Sequence, residues 1–363
     1  MGIKFKRFMP MFVTLILLFS ACNTNPPTKT EENKLTAVSN EWAESAPEQQ
    51  GVDEQVLLKA DDHIRAEFPN IYSFVMIKNG YLVHEKYYQE KKREDLVHTF
   101  SVTKSVTASL IGIAIREGYI TSLDQKLAEF FPEFFSTVDD PKKKDITLRQ
   151  ALTMTAGFKP AETNFYDWFR SSSWFEYTIK QPLVSKPGER FNYDTGLSHL
   201  LSGVISKATQ MSTLEFAEKF LFSQIGIEKK LWGTDNQGNF GGGHLLNLTP
   251  RDMAKFGYLY LKNGNWKGQQ VIPSEWVKES TQRKVSFDKD SGYGYLWWLY
   301  NKADKQKNRS CTVYSALGFG GQRIDVIPEL DIVAVITADP DKSAKNNSDT
   351  GEILTRFVIP SVK

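Results

Sequence analysis

HTFSVTKSVTASLIGIAIREG, residues 98–118, is the stretch on which the reading of this chain turns. It opens polar, with Ser101 and Lys104 three positions apart, and runs almost wholly apolar from Val106 to Ile115. A helix that is apolar around most of its circumference belongs in the middle of a domain. Positions i and i+3 share a helix face, so Lys104 Nζ can reach Ser101 Oγ. A serine hydroxyl is a poor nucleophile until something takes its proton. Lysine can do so where burial populates its neutral amine, and the apolar helix body supplies that burial. At the helix N-terminus, the Ser101 backbone N–H stands where the helix dipole favours a developing oxyanion.

S-x-x-K is a short pattern and needs a partner. Tyr193 is the candidate, in KPGERFNYDTGLSHLLSGVI (186–205). Pro187-Gly188 marks a turn, and a helix with Leu197, Leu200, Leu201 and Val204 at helical spacing follows. A tyrosine in such a loop can aim its hydroxyl into a cleft and relay a proton. The five histidines, His63, His84, His98, His199 and His244, belong to no motif that ties them to a serine, and they are read as satisfied or surface side chains.

The remainder of the 363-residue chain bounds the possibilities. Its 40% hydrophobic and 24% charged residues are ordinary globular composition. A formal charge of +2 argues against nucleic acid as a partner. Lys4, Lys6 and Arg7 precede an apolar Met11–Phe19 that is short for a membrane span. Residues 1–22 therefore read as a signal peptide whose end, Ser20-Ala21-Cys22, resembles a bacterial lipobox, with Cys22 lipidated. The alternative is an ordinary secretory signal cut nearby with Cys22 incidental, and either reading holds the protein outside the cytoplasm. Residues 23–50 read as a polar tether and 51–363 as one folded domain. The only other cysteine, Cys311, reads as structural.

Within that domain an amphipathic helix starts near Val52 and a hairpin turns at Asn79-Gly80. Strands return at Tyr293–Tyr300, Arg323–Ile327 and Ile332–Thr337, and a last helix begins near Thr350. Strands at both ends and helices between them predict an α+β architecture. A sheet lobe would span about 51–140 and 270–363, with a helical lobe over about 141–269 and a cleft between. Asp139–Lys144 (DDPKKK) reads as a solvated charge run. DKDSGYGYL (288–296) starts like a calcium loop but has Leu299 where the twelfth position needs an acid. Gly241–Gly243 lacks the setting of a phosphate loop. No metal and no cofactor is expected.

SVTK at 101–104 and the PG-x-x-F-x-Y segment ending at Tyr193 resemble the first two motifs of the serine β-lactamase and penicillin-binding-protein superfamily. The class C-like branch of esterases, D-amino-peptidases and amide hydrolases is the nearer likeness. DITLRQALTMTAGF (145–158), LTPRDMAKFGYLYLKNG (248–264), VIPSEWV (271–277) and YGYLWW (293–298) resemble its framework, so the likeness runs from about Trp42 to the C-terminus. It implies a β-lactamase-like fold, with an antiparallel sheet flanked by N- and C-terminal helices. It also implies Ser101 as the acylated nucleophile, Lys104 as the base or the base's partner, and Tyr193 as assisting proton transfer to the leaving group. The backbone N–H groups of Ser101 and Phe319 would form the oxyanion hole, with Gly318 and Gly320 where substrate must approach the strand backbone. Tyr166, on the loop after TMTAGF, is a candidate for the pocket wall or for loop packing.

The chain departs from that pattern at two places. Ala316 and Leu317 stand where the third motif usually carries a cation and a hydroxyl, and Tyr193-Asp194-Thr195 replaces Tyr-x-Asn. Losing the cation weakens the hold on a substrate carboxylate. Arg323 is a candidate replacement, and Trp168 and Trp174 are candidates for the pocket wall or the core. Ala-Leu-Gly-Phe-x-Gly-Gln at 316–322 resembles the branch containing 6-aminohexanoate-dimer hydrolase and related carboxylesterases. The expected activity is hydrolysis of a small ester or amide by a membrane-tethered enzyme. Its rivals are β-lactamase or D,D-carboxypeptidase and D-amino-peptidase activity, and a non-catalytic wall-binding lipoprotein.

Overall fold

Asn79 and Gly80, both with positive φ, close a two-residue turn between β1 (Ile71–Lys78) and β2 (Tyr81–Tyr87), as the Asn-Gly pair predicts. This comes from a computed structural model that describes residues 42–304, 307–341 and 350–363. The signal peptide with Cys22, and the tether up to residue 41, lie outside the described residues. The hairpin joins six C-terminal strands: β3 (Val285–Ser286), β4 (Ser291–Tyr293), β5 (Trp298–Asp304), β6 (Arg309–Gly318), β7 (Gln322–Ile327) and β8 (Ile332–Ala338). All pairings are antiparallel, in the order β2-β1-β8-β7-β6-β5-β4-β3.

The central strands are apolar on both faces, and their alternation separates two cores. Phe74 and Met76 of β1, with Ile332, Ala334 and Ile336 of β8, pack against one layer. That layer holds Leu57, Ala60 and Ile64 of α1 (Glu54–Glu67) and the C-terminal helical turns around Ile353, Leu354 and Val358. Val75, Ile77, Val333, Val335, Ile324 and Val326 face the opposite way. There they meet α2 (Val102–Arg116) and α4 (Pro250–Leu261), with α3 (Thr195–Thr209) beyond α2. Residues 102–114 of α2 are all buried, because the helix lies between the sheet and α3. No described helix is long and apolar enough to cross a membrane.

Four local expectations need correction. YGYLWWLY is not one strand: β4 ends at Tyr293 and β5 starts at Trp298. Between them Leu296 takes positive φ and its carbonyl accepts the Ser105 hydroxyl proton at 2.7 Å, tying this loop to α2. The tether reading extends too far, since Leu82 exchanges backbone hydrogen bonds with Ala43 and Ser45. Trp42 there packs edge-on to Tyr258 at 5.2 Å and Trp266 at 6.0 Å. Lys143 is not a solvated charge; it is buried, and Nζ donates to the Ile179 carbonyl at 3.1 Å. Finally α4, which falls inside the expected helical lobe, packs on β1, β7 and β8.

Gly257 is what lets α4 sit that close. A Cβ there would lie 2.6 Å from Ile324 Cγ2 and 2.6 Å from Val333 Cγ1. Gly257→Ala gains helix propensity of about 1 kcal/mol, yet overpacking a core of β-branched side chains costs about 1–3 kcal/mol. The variant is expected to be net destabilised in urea unfolding; equal or greater stability would show that the sheet yields.

Candidate active site

The residue before the nucleophile candidate is bent into an unusual shape. Phe100 has φ 48°, a left-handed conformation that costs a non-glycine residue about 1–3 kcal/mol. Neighbours hold it there. His98 Nδ1 accepts the Phe100 N–H at 3.2 Å, the Thr103 hydroxyl donates to the Phe100 carbonyl at 2.6 Å, and the Thr99 hydroxyl donates to Leu246 O at 2.8 Å. With Nδ1 accepting, the neutral His98 ring carries its proton on Nε2, and burial lowers its pKa. Ser101 then caps α2 and Lys104 is the third residue of that helix.

Lys104 is 1% exposed, and Nζ donates to three oxygens, each at 2.9 Å. These are Ser101 Oγ, Thr195 Oγ1 and the Gly243 carbonyl. Lysine is almost never so buried without partners, and here the partners are neutral acceptors from three separate segments. Gly242 and Gly243, dismissed as a phosphate loop, owe their identity to this crossing. A Cβ on Gly242 would meet Ser198 O at 2.2 Å, and one on Gly243 would meet Thr195 Cγ2 at 2.7 Å.

Tyr193 is placed by a second turn. Asn192 N–H donates to Met154 O at 2.8 Å, Gly188 N–H to Thr155 O at 2.7 Å, and Val184 N–H to Gly157 O at 2.8 Å. Gly157 is left-handed, and a Cβ there would lie 2.4 Å from Ser185 O. Lys104 Nζ stands 4.8 Å from the centre of the Tyr193 ring, whose other neighbour is Trp298 at 5.9 Å. No hydrogen bond joins the phenol to Ser101 or Lys104; in free enzymes such contacts are often long and tighten with substrate.

Ser101, Tyr193, Gly318 and Phe319 line one cavity of about 730 Å³, with Phe100, Glu162, Phe165, Phe169, Trp298 and Leu317 among the other walls. Gly318 brings β6 to the segment that carries Ser101: a Cβ on it would sit 2.3 Å from Thr99 O. Tyr166 and Gly320, expected at the substrate, are not there. Tyr166 is exposed with Arg170 over its ring at 4.7 Å, and a Cβ on the left-handed Gly320 would strike Pro340 Cα at 2.6 Å, so that glycine serves the turn. Trp168 and Trp174 are core, buried behind the wall formed by Phe165 and Phe169. Arg323 supplies no cation to the cavity; it is buried in a bidentate pair with Asp325 at 2.6 and 2.9 Å.

Two histidines that sequence reasoning set aside border the cavity, His98 and His244. His244 stacks on Trp174 at 5.4 Å, and both ring nitrogens are buried without hydrogen-bond partners. Burial first, then the charge of Lys104, holds it well below the usual histidine range, so the ring is neutral. The others fit the bland expectation, His84 with Asp61 at 3.0 Å, His199 with Asp235 at 3.0 Å and His63 beside Glu352 at 3.2 Å. Among the described residues no three His, Cys, Asp or Glu side chains converge as metal ligands would.

An antiparallel sheet backed by helices on both faces, with a Ser–Lys pair in a cleft beside the end of β6, defines the β-lactamase-like class of fold. Residues 72–354 match the beta-lactamase family, and the chain belongs to it, as a serine hydrolase of the β-lactamase and penicillin-binding-protein type. The 6-aminohexanoate-dimer hydrolase of Paenarthrobacter ureafaciens is 22% identical over 310 residues, 78% of this chain and 76% of that protein. Lovastatin esterase of Penicillium rubens is 23% identical over 198 residues, 48% of this chain and 49% of that enzyme. Among solved structures, D-amino acid amidase from Ochrobactrum anthropi SV3, complexed with L-phenylalanine amide, superposes with a TM-score of 0.65 at 16% identity. That match covers 84% of this chain and 97% of the amidase and speaks for the fold alone.

Asp194, between Tyr193 and Thr195, gives the site a pH signature. It is fully buried; Oδ1 accepts N–H groups of Ala161 at 3.1 Å and Gly196 at 2.8 Å, and Oδ2 has no partner. Burial first, and the Glu162 charge second, push its pKa up to about 7. Unfolded aspartate titrates near ~4. Stability from this residue is therefore lost as pH rises from about 4 to about 7, and the loss is complete above that. Asp194→Asn is expected to match the parent's Tm near pH 4.5 and to exceed it near pH 8; a difference independent of pH would count against the raised pKa.

Proposed function

We propose that the protein is an extracytoplasmic serine hydrolase that cleaves esters or amides of small apolar acyl groups through an acyl-enzyme on Ser101. The observation that carries this reading is Lys104 Nζ at 2.9 Å from Ser101 Oγ, beside a cavity of about 730 Å³ with aromatic walls. In its neutral form the Lys104 amine takes the Ser101 proton as Oγ attacks the substrate carbonyl carbon. The resulting oxyanion lies toward the backbone N–H groups of Ser101 and Phe319. Tyr193 delivers a proton to the departing alcohol or amine and regains one from the Lys104 ammonium. Water then attacks the ester to Ser101, one of its protons going to Ser101 Oγ as the acid leaves.

The wall chemistry supports a substrate without a carboxylate. Ala316 is buried and uncharged, and among the described residues no Lys or Arg side chain lines the cavity, whose charged member there is Glu162. A penicillin or a peptidoglycan stem would bring its carboxylate into this site with no wall cation to meet it.

The soluble chain after Cys22 is expected to turn over p-nitrophenyl acetate and butyrate, to be labelled by a fluorophosphonate probe and to leave nitrocefin intact. Ser101→Ala and Lys104→Ala are each expected to lose at least about 10²–10⁴ of the turnover, the range for positioned proton transfer. Nitrocefin hydrolysis would overturn the reading on carboxylates, and full activity in Ser101→Ala would overturn the acyl-enzyme. For the anchor, Cys22→Ser is expected to move the full-length protein from the membrane fraction to the soluble one; unchanged fractionation would sink the lipid tether.

A further inference from the structure

Lys104 has three hydrogen-bond neighbours, but a neutral amine has two protons and one lone pair. Which neighbour faces the lone pair decides whether the amine can accept a proton from Ser101 at all. The Gly243 carbonyl can only accept, so one amine proton points there. Ser101 Oγ and Thr195 Oγ1 are hydroxyls and could each play either part. If the Thr195 hydroxyl donated to the amine, it would occupy the lone pair and leave Ser101 without a base.

Glu162 removes that ambiguity. Its carboxylate accepts the Thr195 hydroxyl proton in a short hydrogen bond and also accepts the Thr195 backbone N–H at 3.0 and 3.1 Å. A carboxylate is acceptor only, so the Thr195 proton is committed to it and Oγ1 turns a lone pair toward Lys104. The second amine proton goes there, and the free pair of the amine is left for Ser101. We propose that Glu162 is a positioning residue: acting through Thr195, it aims the lone pair of Lys104 at the Ser101 hydroxyl. This rests on the Ser101–Lys104 reading above and adds to it a carboxylate that no motif marks. Proton transfer then follows one path: Ser101 O–H to Lys104 Nζ, giving an ammonium that donates to Ser101 Oγ, Thr195 Oγ1 and Gly243 O.

The remaining titratable groups near the amine are Tyr193, whose ring lies 4.8 Å from Nζ, and His244, with Asp194 next to Glu162. Removing the Glu162 charge would therefore displace a pH–rate profile whatever its role. The alkaline plateau of kcat/KM separates the two effects, because a simple charge moves the limb and leaves the plateau, while a misaimed lone pair lowers the plateau itself.

The test measures kcat/KM for p-nitrophenyl butyrate against pH in four variants, with the thermal unfolding of each recorded alongside. Glu162→Leu and Thr195→Val are expected to lose about 10- to 100-fold on the plateau, within the span of positioned acid–base catalysis, with the loss in kcat rather than KM. Thr195→Ser keeps the hydroxyl, Glu162→Gln keeps an acceptor oxygen, and both are expected to stay within a few-fold of the parent. Plateau activity near the parent's in Glu162→Leu would overturn the proposal, as would loss in Thr195→Ser equal to that in Thr195→Val. If Glu162→Leu or Thr195→Val fails to fold, the plateaus of Thr195→Ser and Glu162→Gln still decide, since a drop of 10-fold or more in both would sink it. Failure of the underlying reading looks different: Ser101→Ala would then be active in the parent background.

Discussion

A lysine taken out of water must find acceptors for its protons, and Lys104 finds them on three pieces of chain that have no other reason to meet. Ser101 precedes α2, Thr195 opens α3, and Gly243 lies in the loop before α4. Each contact alone is a hydrogen bond of ordinary strength; leaving a buried amine unmatched would cost far more than any one of them returns. The amine thus acts as a pin through the middle of the molecule. The glycines at 242 and 243 follow from it, since side chains there would hold the loop away from α3.

The second organising contact is backbone against backbone. β6 ends at Gly318, close enough to Thr99 O that a methyl group would not fit. Through that approach the sheet sets the position of Phe319 relative to Ser101. Phe100, held left-handed by His98 and Thr103, keeps the other side of the contact from relaxing. Rigid elements thus hold the site, as precise positioning of reacting groups requires.

Much of this was legible in the chain, and the limits of legibility are physical. Ser101 and Lys104 are neighbours in sequence, so helical geometry alone joins them. The apolar length of α2, the Asn79-Gly80 hairpin and the run of apolar residues in β8 are likewise local signals. Thr195 stands in the Tyr193-Asp194-Thr195 segment that the motif marks, but Gly243 comes to Lys104, and Glu162 to Thr195, only through the packing of distant segments that nothing in their immediate surroundings announces. Tyr166 and Phe165 are adjacent aromatics on one short helix, yet only Phe165 lines the cavity. A helix turns about 100° per residue, so choosing between such neighbours needs the position of the opposite wall. Arg323 failed as a replacement cation for a similar reason: Asp325, two residues on and on the same strand face, had already neutralised it.

The rings of Phe165, Phe169 and Phe319 are substantially exposed where they border the cavity. In the free protein they order water around an opening that has little polar surface with which to hold it. An apolar acyl chain of the kind proposed would release that water on settling between them, so its association would carry a negative heat-capacity change and grow more exothermic on warming. Discrimination among acyl chains would then track apolar area more than shape, at roughly 25 cal/mol per Å² removed from water. Under the proposed function, such an opening would grade substrates by how poorly they dissolve.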